Sequence, residues 1–151
     1  MKKTTLIFTI AFGSLMVSCS GETNIEKGNS KQEKELPTSK VNELTLDNGE
    51  KWESNAETYQ GMTELRTLLE NFNGETLEDY HLLGDKSNEQ TAFIISNCSM
   101  KGAAHDQLHF VLLPILENKD NLISAETIES AEIEFSKLDE NVESFFTFFK
   151  N

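Results

Sequence analysis

Residues 128–149 read IESAEIEFSKLDENVESFFTFF. Ile128, Ala131, Phe135, Leu138, Val142, Phe145 and Phe149 recur three or four positions apart along the whole stretch. That period is one buried face of an α-helix. Sustained as heptads, it is the pattern that packs helices into a bundle. Ser124 stands upstream as the expected N-cap. One helix of this kind cannot bury its own stripe, so the neighbouring segments should supply partners.

Three segments do. Ser54-Asn55-Ala56-Glu57 has the spacing of a capping box, followed by Met62, Leu65, Leu69 and Phe72 on one helical face and closed by Asn73-Gly74. Thr76-x-x-Asp79 opens a second helix, with Leu77, Tyr80 and Leu83 on one side, running through Phe93, Ile94 and Ile95 to Cys98. Gly84-Asp85-Lys86-Ser87 should weaken its middle, and Ser87-Asn88-Glu89-Gln90 has the spacing of another capping box, so this helix is expected to bend or divide there. The run Ala92–Ile95 would also suit a short buried strand, but the caps upstream favour helix. Gly102 should end it. A third helix follows from Ala103, with Leu108, Leu112 and Ile115 inside and a kink in its last turn at Pro114. With short loops throughout, the expectation is an all-α, up-down four-helix bundle. A short extended or hairpin segment precedes it, with Leu44, Leu46 and Trp52 around an Asp47-Asn48-Gly49 turn.

The bundle accounts for residues 43–151. Residues 20–42, SGETNIEKGNSKQEKELPTSKVN, hold too few apolar side chains to offset the entropy of ordering and read as a disordered tether. Before them, Met1-Lys2-Lys3 and an apolar run to Val17 have the layout of a secretory signal over residues 1–18. The run is too short for the ~20 residues of a membrane span. Its end, Leu15-Met16-Val17-Ser18-Cys19, resembles the lipobox of bacterial lipoproteins, with Met16 where leucine is commonest. That resemblance implies cleavage before Cys19 and lipidation on it. Two or more acyl chains give stable anchoring without a span, and the chain is expected in the bacterial cell envelope, on the inner or outer membrane.

Charge excludes one class of partner. Removing the leader takes away Lys2 and Lys3 and no acid, leaving 11 basic against 26 acidic residues, a formal −15. Such a chain is repelled by nucleic-acid phosphates and anionic headgroups. Membrane attachment should therefore come from the lipid alone.

The stretch Asn97–His109, NCSMKGAAHDQLH, carries the chemistry. With Cys19 lipidated, Cys98 is a lone thiol in an oxidising compartment, which calls for burial, a metal or a redox role. His105 and His109 lie four apart on one helical face, and the turn brings Cys98 and Met100 back toward them. A thiolate, two imidazoles and a thioether would favour Cu(I); Cys and His alone would suit Zn(II). The up-down order would gather Trp52, Met62 and the Phe145-Phe146-Phe148-Phe149 cluster at the same pole. There Trp52, with Met62 nearby, would serve as a lid over the ion through a cation–π contact. The competing explanations are equally physical. Cys98 can be an inert core thiol, Met100 a gap-filler, Trp52 a packing residue, and the histidines an ordinary helix start. His81 stands alone and reads as a surface or half-buried residue.

The segments Lys51-Trp52-x-x-Asn55-x-Glu57-Thr58-x-x-Gly61-Met62, Asp79-Tyr80-His81-x-Leu83-Gly84 and Cys98-x-Met100-Lys101-Gly102-x-x-His105-x-Gln107-Leu108-His109 resemble a group of small uncharacterised lipoproteins of the Bacteroidetes. The resemblance covers most of residues 48–149. In that group Cys98, Met100, His105 and His109 have counterparts, while threonine is more usual than Ser99. It implies an envelope location and that these four residues act as a unit; it implies no catalytic activity.

Two functions therefore compete: a membrane-tethered holder of Cu(I) or Zn(II) at Cys98, His105, His109 and Met100, and a metal-free structural or protein-interaction lipoprotein. An enzyme is not expected, since no P-loop, HExxH or CxxCH occurs and no third group is evident to orient a Cys–His pair.

Overall fold

The computed structural model describes residues 43–151. The signal segment, Cys19 and the expected tether lie outside the described residues. The elements run β1 (Trp52–Glu53), α1 (Ala56–Glu70), α2 (Leu77–Asn97), α3 (Gly102–Ile123), α4 (Ile128–Phe148) and β2 (Phe149–Lys150). Each helix packs against the next, and α1 also packs against α4, which closes an up-down four-helix bundle. Leu65 and Leu69, Leu83 and Ile94, Leu108, Leu112 and Ile115, and Leu138, Val142 and Phe145 meet along its axis. Burying each of these side chains stabilises by roughly 1.5–3 kcal/mol. No helix among the described residues is long and apolar enough to cross a membrane.

Reciprocal side-chain caps start α2 and α4, in part at different residues from those expected. Thr76 caps α2, accepting from the Asp79 amide at 3.2 Å while Asp79 Oδ2 accepts from the Thr76 amide at 2.9 Å. Ser54 does not cap α1. It is buried, and its amide and hydroxyl both donate to the Lys150 carbonyl, so Asn55 becomes the N-cap. Ser124 ends α3 instead of starting α4, its hydroxyl donating to the Asp120 carbonyl at 2.9 Å. Thr127 caps α4 through a reciprocal pair with Ser130. Moving the cap three residues on leaves Ile128 at the first helical position, 43% exposed and outside the core it was expected to join.

The second helix neither divides in two nor gives way to a strand. It runs unbroken from Leu77 to Asn97. Ser87 is buried, its hydroxyl donating to the Leu83 carbonyl at 2.8 Å instead of capping anything. Gly84 marks a crossing: a Cβ there would lie 2.6 Å from Ile123 Cγ1 and 3.2 Å from the Ile123 amide nitrogen on α3. Gly61 plays the same part between α1 and α2, facing Ile94. The first helix stops at Glu70, before Asn73-Gly74. Pro114 sits mid-helix, and α3 continues past it to Ile123. The carbonyl it deprives of a partner belongs to Phe110, which lies with Leu113 on the exposed side.

At its lower half the α3–α4 interface is polar. Glu134 accepts from Asn118 at 2.9 Å, from Asn121 at 3.2 Å and from Lys137 at 2.6 Å, while Asn141 donates to Asn118 at 2.8 Å. Burial alone would push the Glu134 carboxyl up, but these hydrogen bonds and the Lys137 charge hold it below the usual carboxylate range.

The extended segment is present, with a different pairing from a simple hairpin. Asp47 and Glu50 exchange backbone bonds of 2.8 and 2.9 Å around Asn48 and Gly49, both at positive φ. The strand that follows pairs in parallel with the chain's end, Trp52 opposite Phe149 and Glu53 opposite Lys150. α4 therefore stops at Phe148, one residue before its expected stripe ends, and Phe149 stacks on Phe145 at 4.9 Å and 6°.

Candidate functional site at the β1–α3 pole

The starts of α1 and α3 and the ends of α2 and α4 share one pole, with β1 and β2 across it. Its corner is α2 to α3. Helix α2 ends at Asn97, Cys98 is extended as its C-cap, and Gly102, at a φ of 64°, opens α3 instead of closing α2. Asn55 holds this corner to α1. Its Oδ1 accepts from the Thr58 hydroxyl at 2.6 Å and the Ser99 amide at 3.4 Å, and its Nδ2 donates to Glu57 at 2.7 Å and the Asn97 carbonyl at 3.1 Å. The Asn55 side chain also lowers the pKa of the Glu57 carboxyl.

The four expected ligands stand at the α2–α3 corner and in the first turns of α3. Cys98 is a free, half-buried thiol packed against the core, as is the Met100 side chain. His105 is half-buried and His109 exposed, their rings 4.4 Å apart at 62°. Among the described residues no group of three or more His, Cys, Asp or Glu side chains stands placed to hold an ion. The two histidine rings are in direct contact.

The expected lid is also rearranged. Met62 has no exposed surface and belongs to the core. Tyr59 packs edge-on to Phe146 at 5.5 Å, and the Arg66 guanidinium lies 3.7 Å over the Phe146 ring. Trp52 is half-buried, with its indole N–H donated to the Thr45 carbonyl at 2.6 Å. His81, at the far side, meets the Ala125 carbonyl at 2.8 Å, in keeping with a half-buried structural histidine.

What Trp52 does line is a groove of about 480 Å³, shared with Ala103, Asp106, Gln107, His109, Phe110 and Leu113. Its base is fixed. Gln107 is buried, its Oε1 accepting from the Thr45 amide at 2.7 Å and its Nε2 donating to the Glu43 carbonyl at 3.3 Å. Its outer wall is apolar and open, with Phe110 38% and Leu113 59% exposed. A second cavity of about 380 Å³ lies among Leu68, Phe72, Asp79, Leu82 and Lys86. There the Asp79 carboxylate is already committed to the α2 cap.

Sequence reasoning missed the groove. Phe110 and Leu113 are three apart and lie off the Leu108–Leu112–Ile115 stripe, which was the available signal. The role of Gln107 had none, because its partners are backbone atoms more than 60 residues away.

No protein-family model, curated protein or solved structure matches this chain.

Proposed function

We propose that this chain is a lipid-anchored protein of the bacterial envelope that acts as a non-enzymatic binding module, engaging a partner protein through the groove beside Trp52. The anchor rests on the signal-like leader and lipobox-like Leu15–Cys19 sequence. The binding role rests on one observation above others: apolar side chains left open on α3 beside a fixed tryptophan, in a concavity of about 480 Å³. Concave, mostly apolar clefts with a few polar groups are where ligands dock, exposed apolar patches mark protein-interaction sites, and tryptophan is among the residues that dominate protein–protein contacts. The acidic charge makes nucleic acid an unsuitable partner.

The test is in-cell photo-cross-linking with a benzophenone amino acid replacing Leu113, and replacing Ile133 as a half-exposed control on α4. A discrete adduct at 113 and none at 133, identified by mass and then shown to bind the purified chain, supports the reading. No adduct at 113, or the same adducts at both, overturns it.

The 4.4 Å pairing of His105 and His109 supports a second reading, in which a soft ion, Cu(I) before Zn(II), is held by the pair with Cys98 and Met100 closing on it. Metal analysis after anaerobic purification separates the two. Stoichiometric copper lost in a His105→Ala, His109→Ala variant supports the ion; equal copper in both proteins sinks it.

A further inference from the structure

We propose that the groove recognises a lysine or arginine flanked by apolar residues on the partner protein, which rests on the groove being the binding face. Gln107 lines the groove, but both ends of its amide are spent on the Thr45 amide and the Glu43 carbonyl. The indole N–H of Trp52 is spent on the Thr45 carbonyl. Two groups are left, the Asp106 carboxylate and the His109 imidazole, both on exposed residues. A carboxylate only accepts hydrogen bonds, and a neutral imidazole accepts at one nitrogen. Among the described residues Asp106 has no ion-pair partner. The one formally charged group in the lining is therefore negative, in a chain with 26 acidic against 13 basic residues.

The apolar lining, Trp52, Ala103, Phe110 and Leu113, calls for aliphatic surface, and the acceptors call for a cationic donor. Lysine and arginine combine the two, since their stems pack on apolar surface while the charged head reaches a carboxylate. An aromatic ring beside that head adds a cation–π attraction. A free small cation would leave Phe110 and Leu113 open, so the occupant is a peptide segment with apolar neighbours. The protein's field steers such a segment toward the site.

The chain holds a single tryptophan, so Trp52 emission reads groove occupancy directly. The intact protein is titrated with the acetylated, amidated peptide Gly-Leu-Val-Lys-Leu-Val-Gly and with the same peptide carrying norleucine for lysine. The lysine peptide should bind roughly ten-fold more tightly, the sum of a solvent-screened ion pair and a cation–π contact. Asp106→Asn should remove roughly half of that difference, the share carried by the ion pair, as should raising salt, since the pair is screened. Equal affinity of the two peptides overturns the cationic preference while leaving the groove as a binding face. Competition by butylammonium alone, as effective as the peptide, makes the occupant a small molecule and overturns the peptide assignment. Concentration-dependent self-association blocked by the peptide makes it a second copy, with the same consequence. If neither peptide alters Trp52 emission at millimolar concentration, the proposal fails, and the cross-linking at position 113 decides independently whether the groove binds anything.

Discussion

Replacing Gly84 with alanine sets two physical effects against each other. In an unobstructed helix interior, alanine stabilises by about 1 kcal/mol over glycine. That is the expected result if Gly84 is only a weak point in α2. In the bundle, the added methyl group would sit 2.6 Å from Ile123 Cγ1 and 3.2 Å from the Ile123 amide nitrogen. The side chain can turn aside, but the amide can retreat only if α2 and α3 separate. Overpacking of this kind costs about 1–3 kcal/mol. Set against the propensity gain, the net effect is a destabilisation of about 1 kcal/mol. Urea denaturation followed by circular dichroism, with an m-value of about 1–3 kcal/mol/M, should show the midpoint falling by roughly 0.5 M. A double-mutant cycle sharpens the test. In an Ile123→Ala background the obstruction is reduced, so Gly84→Ala should cost less there or become stabilising. A rise in the midpoint for Gly84→Ala alone would refute the close α2–α3 crossing.

Three further outcomes follow from the packing and the polar seam. Met62→Ala should cost about 2–5 kcal/mol, the range for a fully buried side chain, whereas a solvent-facing lid residue would cost under about 0.5 kcal/mol; chemical denaturation distinguishes them. Asn55→Ala should cost about 1–2 kcal/mol through its lost bonds to Thr58, Ser99 and Asn97 and speed amide exchange at Ser99, and unchanged exchange there would remove Asn55 from the corner. Glu134 has a lowered carboxyl pKa in the folded chain, so its contribution is present above the unfolded value of ~4.3 and disappears as pH falls through the lower folded value. The stability gap between the native chain and Glu134→Gln should accordingly hold above about pH 5 and shrink below about pH 4. Curves that stay parallel to pH 3 would contradict it.

The helices were legible because their apolar periods are local. Leu65 and Leu69, Leu108, Leu112 and Ile115, and Leu138, Val142 and Phe145 each announce a face without reference to the rest of the chain. What decides between equivalent local signals is tertiary. Ser54 and Asn55 both suit an N-cap, and the pairing of β1 with β2 takes Ser54 for the Lys150 carbonyl. Gly84 and Ser87 look like interruptions until Ile123 and the Leu83 carbonyl are placed beside them. Phe149 continues the heptad of α4 in sequence, yet strand pairing with Trp52 draws it out of the helix.

The pole shows the same division. Up-down order correctly brings the α2–α3 corner, Trp52 and the end of α4 to one end of the bundle. Sequence spacing sets which face of α3 carries His105 and His109, but not how far Cys98 turns toward the core. The groove depends on contacts from Thr45 and Glu43 to Gln107, which no local pattern encodes.

The groove as a binding face is tested most directly by Trp52 emission during titration of the intact chain with the partner identified by cross-linking. A saturable change in emission is predicted, lost in Leu113→Asp while circular dichroism is unchanged. Full binding with Trp52 emission unaffected, and equal affinity for the Leu113→Asp chain, would contradict it by putting the contact elsewhere on the bundle.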